Sequence, residues 1–264
     1  MKRLILYFIL FLILTSCKKI VDFYIGIPLQ PRFDDNNFQP GLNIFGIIRT
    51  DSTLDFNNSY IVVQKVIPAV GSKDSLEVDS VGVFVNLKFN SDSTSYQFVL
   101  TNNDSVFTQE QYRPSANFVP KAGDMFSVEC YYQDLPVLYS RTIVPEKARI
   151  VDSTIMNDKS NLYFELQYDS TIYMFDIFLF SHHDFLDYQR LPAEPNTNTA
   201  VVFSSLNTTA DSIVIFSYDY NLAKYYLTSN ISLNFNKYRE AFGTVQNGYG
   251  VFGSVNKNYF LFDK

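Results

Sequence analysis

The sequence is poor in the residue types that most often carry metal-binding or nucleophilic chemistry. Its 264 residues include no tryptophan, two cysteines and two histidines. The histidines, His182 and His183, are neighbours, and adjacent residues of a strand point to opposite faces, so the two imidazoles cannot easily share one metal ion. A histidine-dependent triad would also have to use this one position. We therefore expect a polar loop here and no catalytic residue, metal or cofactor, although scattered Asp and Glu residues leave a paired-carboxylate hydrolase open.

Cys130 lies in residues 126–132, where the side chains alternate between two faces of a predicted strand. This alternation places the thiol on the same face as Phe126 and Val128. A free cysteine in such a position usually behaves as a small buried hydrophobic residue. No basic neighbour is evident that would activate it. We therefore expect a buried, unreactive thiol.

Long apolar runs are also missing, with one exception at the N-terminus. Residues 4–14 are all apolar and follow Lys2 and Arg3. This run is too short to cross a bilayer, which takes about 20 residues, but a charged start and a short apolar core are typical of a secretory signal. Residues 14–17, Leu-Thr-Ser-Cys, resemble the bacterial lipobox, so we predict cleavage between Ser16 and Cys17 and lipidation of Cys17. The alternative is an ordinary secretory signal that ends near a cysteine.

The predicted anchor and the net charge together limit the classes of partner. Two or three acyl chains on Cys17 would hold the protein stably on a membrane. The signal peptide removes two basic residues, which leaves 19 basic and 27 acidic residues and a net charge of −8. This acidity argues against binding to nucleic acid or electrostatic adhesion to anionic lipid. Once Cys17 is lipidated, Cys130 is the one remaining thiol, so no intrachain disulfide can form.

Short alternating or β-branched segments, separated by turn residues, predict an all-β and mainly antiparallel fold. In the first half their spacing predicts an immunoglobulin-like or transthyretin-like β-sandwich. In the second half, residues 161–168 and 171–180 are predicted to form a hairpin around Asp169. Looser periodicity predicts one or two short helices, at residues 222–227 and 235–242.

The predicted organisation divides the chain into four parts. These are a signal peptide at residues 1–16, a lipid anchor and tether at 17–41, a β-sandwich domain at 42–148 and a second β-rich domain at 149–264. Because Pro145 and Glu146 end one series of strands, we expect a domain boundary near residues 146–152. Proteases should cut there or at residues 191–198, a stretch with two prolines and few apolar residues.

Three short motifs follow one another in an order found in a known family. They are a Pro-x-x-Gly-Asp turn at residues 120–124, an Ile-x-Pro-Glu strand end at 143–146 and a Gly-x-Gly-x-Phe-Gly segment at 248–253. Together with the lipobox, the tether and a first strand at 42–48, this order resembles the Bacteroidota lipoprotein family catalogued as domain of unknown function 4249. Genes of that family often lie beside TonB-dependent outer-membrane receptors, and no enzymatic activity is attached to it. The resemblance implies an envelope location and a transporter partner, and it carries over no catalytic residue.

The function expected from these features is that of an outer-membrane lipoprotein acting as a non-enzymatic binding or accessory subunit of a TonB-dependent transporter. The alternatives are a structural or assembly factor of the envelope and a secreted hydrolase. Whether the body faces the periplasm or the medium stays open, because the residues after Cys17 lack the acidic cluster associated with surface export. Tyr249 and Phe252 are the candidate partner contacts, since the glycines around them permit close backbone approach. The alternative for this segment is a glycine turn that places the last strand.

Eight Asp-Ser dipeptides, each followed by Thr, Leu, Val or Ile, resemble the sequon for protein O-glycosylation in Bacteroidota. The alternative is turn capping, because Asp and Ser side chains bond readily to nearby backbone groups. The candidate acceptors are Ser52, Ser75, Ser80, Ser93, Ser105, Ser153, Ser170 and Ser212.

Overall fold

The computed structural model describes residues 40–51, 58–66, 81–89, 92–101, 111–114, 117–158, 160–229 and 244–262. This part of the chain is mostly β, with a large mixed sheet of 12 strands, a sheet of three strands and a single α-helix. The predicted all-β fold with a short helix is confirmed. The signal peptide, Ser16, Cys17, nearly all of the tether and the second predicted helix lie outside the described residues.

The strands are numbered in chain order. In the first half they are β1 Leu42–Arg49, β2 Tyr60–Lys65, β3 Gly82–Phe89, β4 Asp92–Thr101, β5 Gln111–Pro114, β6 Met125–Tyr131 and β7 Leu138–Ile143. After a 3-10 turn at Asp152–Thr154 follow β8 Met156–Asn157, β9 Asn161–Leu166, β10 Met174–Ser181, β11 Asp184–Pro192, β12 Thr199–Ser204 and β13 Ser212–Tyr218. Helix α1, Tyr220–Ser229, precedes β14 Val245–Gln246 and β15 Gly248–Leu261.

The large sheet has the strand order β11-β10-β13-β15-β1-β2-β5-β4-β3-β6-β7-β14. The last strand, β15, lies beside the first, pairing with β1 in parallel and with β13 antiparallel. β7 and β15 also contact each other, although six strands separate them in this order. The sheet therefore folds back on itself and encloses an inner face, as in a sandwich.

Two separate apolar cores lie on the inner face. The first is built by β1 to β7 and includes Phe126, Val128 and Cys130, so the predicted burial of this cysteine is confirmed. Burial raises the pKa of the Cys130 thiol to about 12. The second core lies between β10, β13 and the three-stranded sheet β12-β9-β8. Phe252 of β15 belongs to the first core, although it lies in the second predicted domain.

The predicted hairpin of residues 161–168 with 171–180 is wrong. β9 pairs with β12 and β8 in the small sheet, whereas β10 pairs with β11 and β13 in the large one. Asp169 caps the intervening turn by accepting the Thr171 backbone N–H at 2.8 Å. The two strands instead face each other across the second core, because the same turn chemistry serves a corner between stacked sheets as well as a hairpin.

A belt of polar side chains separates the two cores on the inner face. It consists of the buried residues Thr142, Ser217, Asp219, Asn221, Ser254 and Asn256. The side-chain amide of Asn256 donates to the Pro145 carbonyl at 2.9 Å, and the Thr50 hydroxyl donates to the Asn256 side-chain oxygen at 2.6 Å. The half-buried Asn258 donates in the same way to the Ala148 carbonyl at 2.9 Å. This polar belt therefore holds the connector, residues 144–151, against β15.

Helix α1 begins directly after Asp219, whose carboxylate accepts the backbone N–H of Leu222 at 3.0 Å and so caps the first turn. Leu222 packs with Ile47, Val251 and Val255 on the outer face of the sheet. The helix contains residues 222–227, so the prediction of a helix there is confirmed.

Candidate binding face

Four adjacent strands, β11, β10, β13 and β15, present large apolar side chains on the outer face of the sheet. Successive residues of a strand point to opposite sides, so β10 sends Phe175, Ile177 and Leu179 into the second core and the residues between them outward. Cross-strand pairing aligns these outward residues with those of the neighbouring strands. We call the resulting set the aromatic face: Phe178, Phe180, Phe185, Tyr188, Val214, Tyr259 and Leu261.

The aromatic face is both exposed and ordered by ring contacts. Phe185, Tyr259 and Leu261 have exposed fractions of 58%, 52% and 69%. The ring of Phe178 lies 4.8 Å from that of Tyr188, and the ring of Phe180 lies 6.1 Å from that of Phe185. Such ring separations are typical of favourable aromatic pairs. The face is therefore an organised apolar surface that water contacts.

A buried carboxylate fixes one end of this face. Asp176 accepts Nε and Nη2 of Arg190, both at 2.7 Å, and the hydroxyls of Tyr188 and Tyr218, both at 2.8 Å. The Arg190 guanidinium lies 4.5 Å from the ring centre of Tyr226 on helix α1. Burial and Asp176 raise the pKa of the Tyr188 hydroxyl to about 12. With four donors on Asp176, this group holds the rings in place and leaves no free carboxylate oxygen for acid–base chemistry.

Arg49 and Asp51 form a second bidentate ion pair on the outer face of the sheet. Arg49 donates to Asp51 at 2.9 and 2.7 Å. Burial alone would raise the pKa of Asp51, but Arg49 and the charge of Lys257 lower it below its ordinary value. Arg49 and Lys257 both lie over the ring of Phe216, at 5.6 and 5.8 Å. Aromatic residues beside arginine are the composition enriched at the centres of protein interfaces.

The two candidate partner contacts fall on opposite faces. Tyr249 lies on the outer face of β15 and is 39% exposed, whereas Phe252 is 0% exposed in the first core. The expectation of a surface contact at Phe252 is therefore wrong, because residues three apart in a strand point to opposite sides. The segment is a strand and not a turn. At Gly250, with φ +96°, an added Cβ would lie 1.9 Å from the Ile44 carbonyl oxygen, so glycine is required there.

The Asp-Ser positions have different surroundings. Ser153 and Ser170 are exposed in turns. Ser212 is 5% exposed and bonded to Asp211, so the folded protein offers no acceptor there, contrary to our expectation. Capping accounts for the aspartates at 169 and 211, since each accepts a backbone N–H. The remaining side chains, Ser52, Ser75, Ser80, Ser93 and Ser105, lie outside what the structure describes.

The histidines form the two-residue turn between β10 and β11. His182 and His183 have φ of 52° and 72°, which is a type I′ hairpin turn. The His182 backbone N–H donates to Asp211 at 2.6 Å. The prediction of a polar loop is confirmed. Among the described residues, no group of three or more His, Cys, Asp or Glu side chains could hold a metal ion.

In the described part of the chain, no helix is long and apolar enough to span a membrane. Comparison with known protein families finds no matching family, and a search of curated proteins finds no match. Sequence reasoning missed the aromatic face. The available signal was that β10 and the end of β15 carry apolar residues at consecutive positions, which is more than one buried face needs.

Proposed function

We propose that the protein is an outer-membrane lipoprotein that binds a membrane protein partner through its aromatic face, as an accessory subunit of a TonB-dependent transporter. The observation that carries the proposal is the exposure of Phe185, Tyr259 and Leu261 on one surface. Contiguous exposed apolar surface of this kind marks interaction sites in soluble domains. Its burial against a partner would contribute about 25 cal/mol per Å² of apolar area.

The shape of the surface favours a protein partner over a small ligand. Small-molecule sites are concave and enclose most of the ligand. The aromatic face instead extends over four neighbouring strands, which span about 14 Å at the usual strand spacing. The Asp176–Arg190 pair holds Tyr188 in place before any partner arrives, and such preorganisation reduces the entropy lost on binding.

The predicted anchor supports the same reading. A lipid on Cys17 would confine the body to a membrane surface and raise its effective concentration toward membrane neighbours, so a modest interface could stay occupied. The choice of a TonB-dependent receptor as partner rests on the resemblance in residues 120–124, 143–146 and 248–253. The proposed role is that of an accessory subunit, because the face presents apolar side chains around Asp176, a carboxylate that four donors already engage.

Affinity purification of the full chain from detergent-solubilised outer membrane tests the proposal. We expect a TonB-dependent receptor to co-purify with the wild type, and the double variant Phe185→Ser, Tyr259→Ser to lose it. The matched control is Met156→Ser, Tyr168→Ser, which removes two comparably exposed apolar side chains elsewhere, 63% and 39% exposed. All three proteins should have the same unfolding midpoint, because exposed substitutions change stability little.

The Cys17→Ala variant tests the anchor in the same preparation, and we expect it to appear in the soluble fraction with less receptor bound. Equal recovery of the receptor with both double variants would contradict a contact through the aromatic face. Retention of Cys17→Ala in the membrane after a carbonate wash would contradict the anchor.

A further inference from the structure

A crevice on the inner side of β15 has more positive than negative side chains among its lining residues. It has a volume of about 480 Å³ and lies between the turn at residues 120–124 and the connector. Lys121 enters from the turn, Lys147 and Arg149 enter from the connector, and Glu146 is the one carboxylate among its described lining residues. Three cations and one carboxylate give this crevice a local net charge of +2, in a chain whose overall net charge is −6.

These cations have no anionic partner in the part of the chain that the structure describes. The salt bridges there join Arg49 to Asp51 and Arg190 to Asp176, the His182–Asp211 contact is one only with a protonated imidazole, and none of the three involves the crevice. Unpaired like charges around one concave space repel each other and create a positive potential that attracts anions.

The turn fixes one wall of the crevice. Gly123, with φ +83°, occupies the position of a type II turn that needs a positive φ, and the Asp124 N–H donates to the Lys121 carbonyl at 3.1 Å. The Gly123 N–H donates to the Val144 carbonyl, and the Val144 N–H donates to the Asp124 carbonyl, both at 2.9 Å. The turn is therefore attached to the start of the connector.

The polar belt, together with the half-buried Asn258, fixes the other wall. Asn256 and Asn258 hold the carbonyls of Pro145 and Ala148, each at 2.9 Å, on either side of Lys147. A smaller cavity of about 210 Å³ shares Glu146, Lys147 and Arg149 with the crevice. Its Asp169 is engaged by the Thr171 N–H. The cations are thus carried by backbone that is held in place before a ligand binds, which favours binding.

We propose that this crevice binds a phosphate-bearing ligand. A phosphate monoester carries a charge of about −1.5 to −2 at pH 7, which matches the local charge of the crevice. Arginine can bind phosphate oxygens through two parallel N–H groups, and lysine binds them as a point charge. The volume suits a small organic phosphate, since ligand pockets measure about 300–1,000 Å³. The site lies on the side of β15 opposite to the aromatic face and is independent of the proposed function.

This site is tested by calorimetric titration of the full chain with sodium pyrophosphate. The protein is kept in neutral detergent at low salt. We expect the double variant Lys147→Gln, Arg149→Gln to bind at least about tenfold more weakly than the wild type, because each lost hydrogen bond to a charged group contributes substantially to affinity. The matched control Lys65→Gln, Arg141→Gln removes the same charges outside the crevice and should bind as the wild type does. Equal weakening in both double variants, or no heat from the wild type at millimolar pyrophosphate, would overturn the proposal.

Competition distinguishes the two sources of such a phosphate. Phosphatidylglycerol in mixed detergent micelles is added to the pyrophosphate complex, with phosphatidylcholine in the same micelles as the control. Displacement of pyrophosphate by phosphatidylglycerol alone would identify a lipid headgroup as the ligand, and retention with both would identify a soluble phosphate compound. Either result leaves the partner contact of the aromatic face untouched, so the two proposals fail separately.

Discussion

The two sides of β15 reverse the usual distribution of polar and apolar residues. On the inner side, Ser254 and Asn256 are buried, whereas on the outer side Tyr259 and Leu261 are more than half exposed. Exposed single apolar residues need no explanation, but buried polar groups and contiguous exposed apolar surface do. Both occur here on a single strand, within eight residues.

The difference shows that the two sides of β15 have different contacts. The connector crosses the inner face, and its buried carbonyls need donors that water cannot supply. Asn256 and Asn258 supply them at Pro145 and Ala148. The outer side has no such requirement. Val251 and Val255 are packed there against Leu222 of α1, whereas Tyr259 and Leu261 stay exposed and can contact another molecule. β15 thus joins the two cores with its inner side and leaves the end of its outer side for binding.

The largest expected effect lies on the inner side. Phe252→Ala removes a fully buried ring from the first core and should lower the free energy of unfolding by about 3–5 kcal/mol. Tyr259→Ala, on the outer side, should change it by less than about 0.5 kcal/mol. Urea denaturation followed by tyrosine fluorescence measures both. Similar losses for the two variants would mean that the two sides of β15 do not differ in burial.

The next effect depends on pH and on Asp219 of the polar belt. Burial raises the pKa of this carboxyl to about 6, although the Thr142 hydroxyl donates to it at 2.6 Å. The folded state therefore binds a proton that the unfolded chain releases near pH 4, so the contribution of this group to stability is lost as pH rises from about 4 to 6. At higher pH the full penalty of burying the charge remains.

We compare wild type with Asp219→Asn, which keeps a side chain that can cap α1. Relative to Asp219→Asn, the wild type should lose unfolding free energy on the order of 3 kcal/mol between pH 4 and pH 7. Asp134→Asn, a change at an exposed carboxylate, controls for general titration. A difference that stays constant over this range would show that Asp219 titrates like an exposed carboxylate.

Local patterns were sufficient to predict some elements of the fold, but not β5, β8, β11, β12 or β14. Alternation in residues 126–132 correctly placed Cys130 beside Phe126 and Val128 in a core. Looser periodicity correctly placed a helix at residues 222–227. Both are properties of a few neighbouring residues, where the period of the side chains decides which of them share a face.

The pairing of strands and the aromatic face could not be predicted in this way. β1 and β15 are neighbours in the sheet although Leu42 and its partner Gly248 lie at opposite ends of the described chain. Alternation shows which residues share a face but not what covers it, so a buried face and an interaction face have the same pattern. The same limit explains the wrong hairpin around Asp169, where local turn chemistry does not reveal which sheet the next strand joins. The burial of Phe252 could have been predicted. It lies three residues from Tyr249, and residues three apart in a strand point to opposite sides.

The smallest of these effects concerns the connector itself. Lys147 and Arg149 are exposed trypsin targets, and the sequence predicted a cleavable boundary at residues 146–152. The hydrogen bonds of the polar belt favour resistance in the wild type, because proteolysis requires a segment to detach locally from the fold.

Asn256→Ala removes the donor to Pro145 and the acceptor of the Thr50 hydroxyl. It should lower the free energy of unfolding by about 1–3 kcal/mol and allow cleavage after Lys147 or Arg149. Asn198→Ala is the control, because Asn198 also forms two hydrogen bonds but is exposed to water. Limited trypsin digestion with mass spectrometry of the fragments reads out the site. Rapid cleavage of the wild type in the connector would show that the hydrogen bonds of the polar belt do not protect it. Equal resistance of Asn256→Ala would mean that other contacts hold the connector against β15.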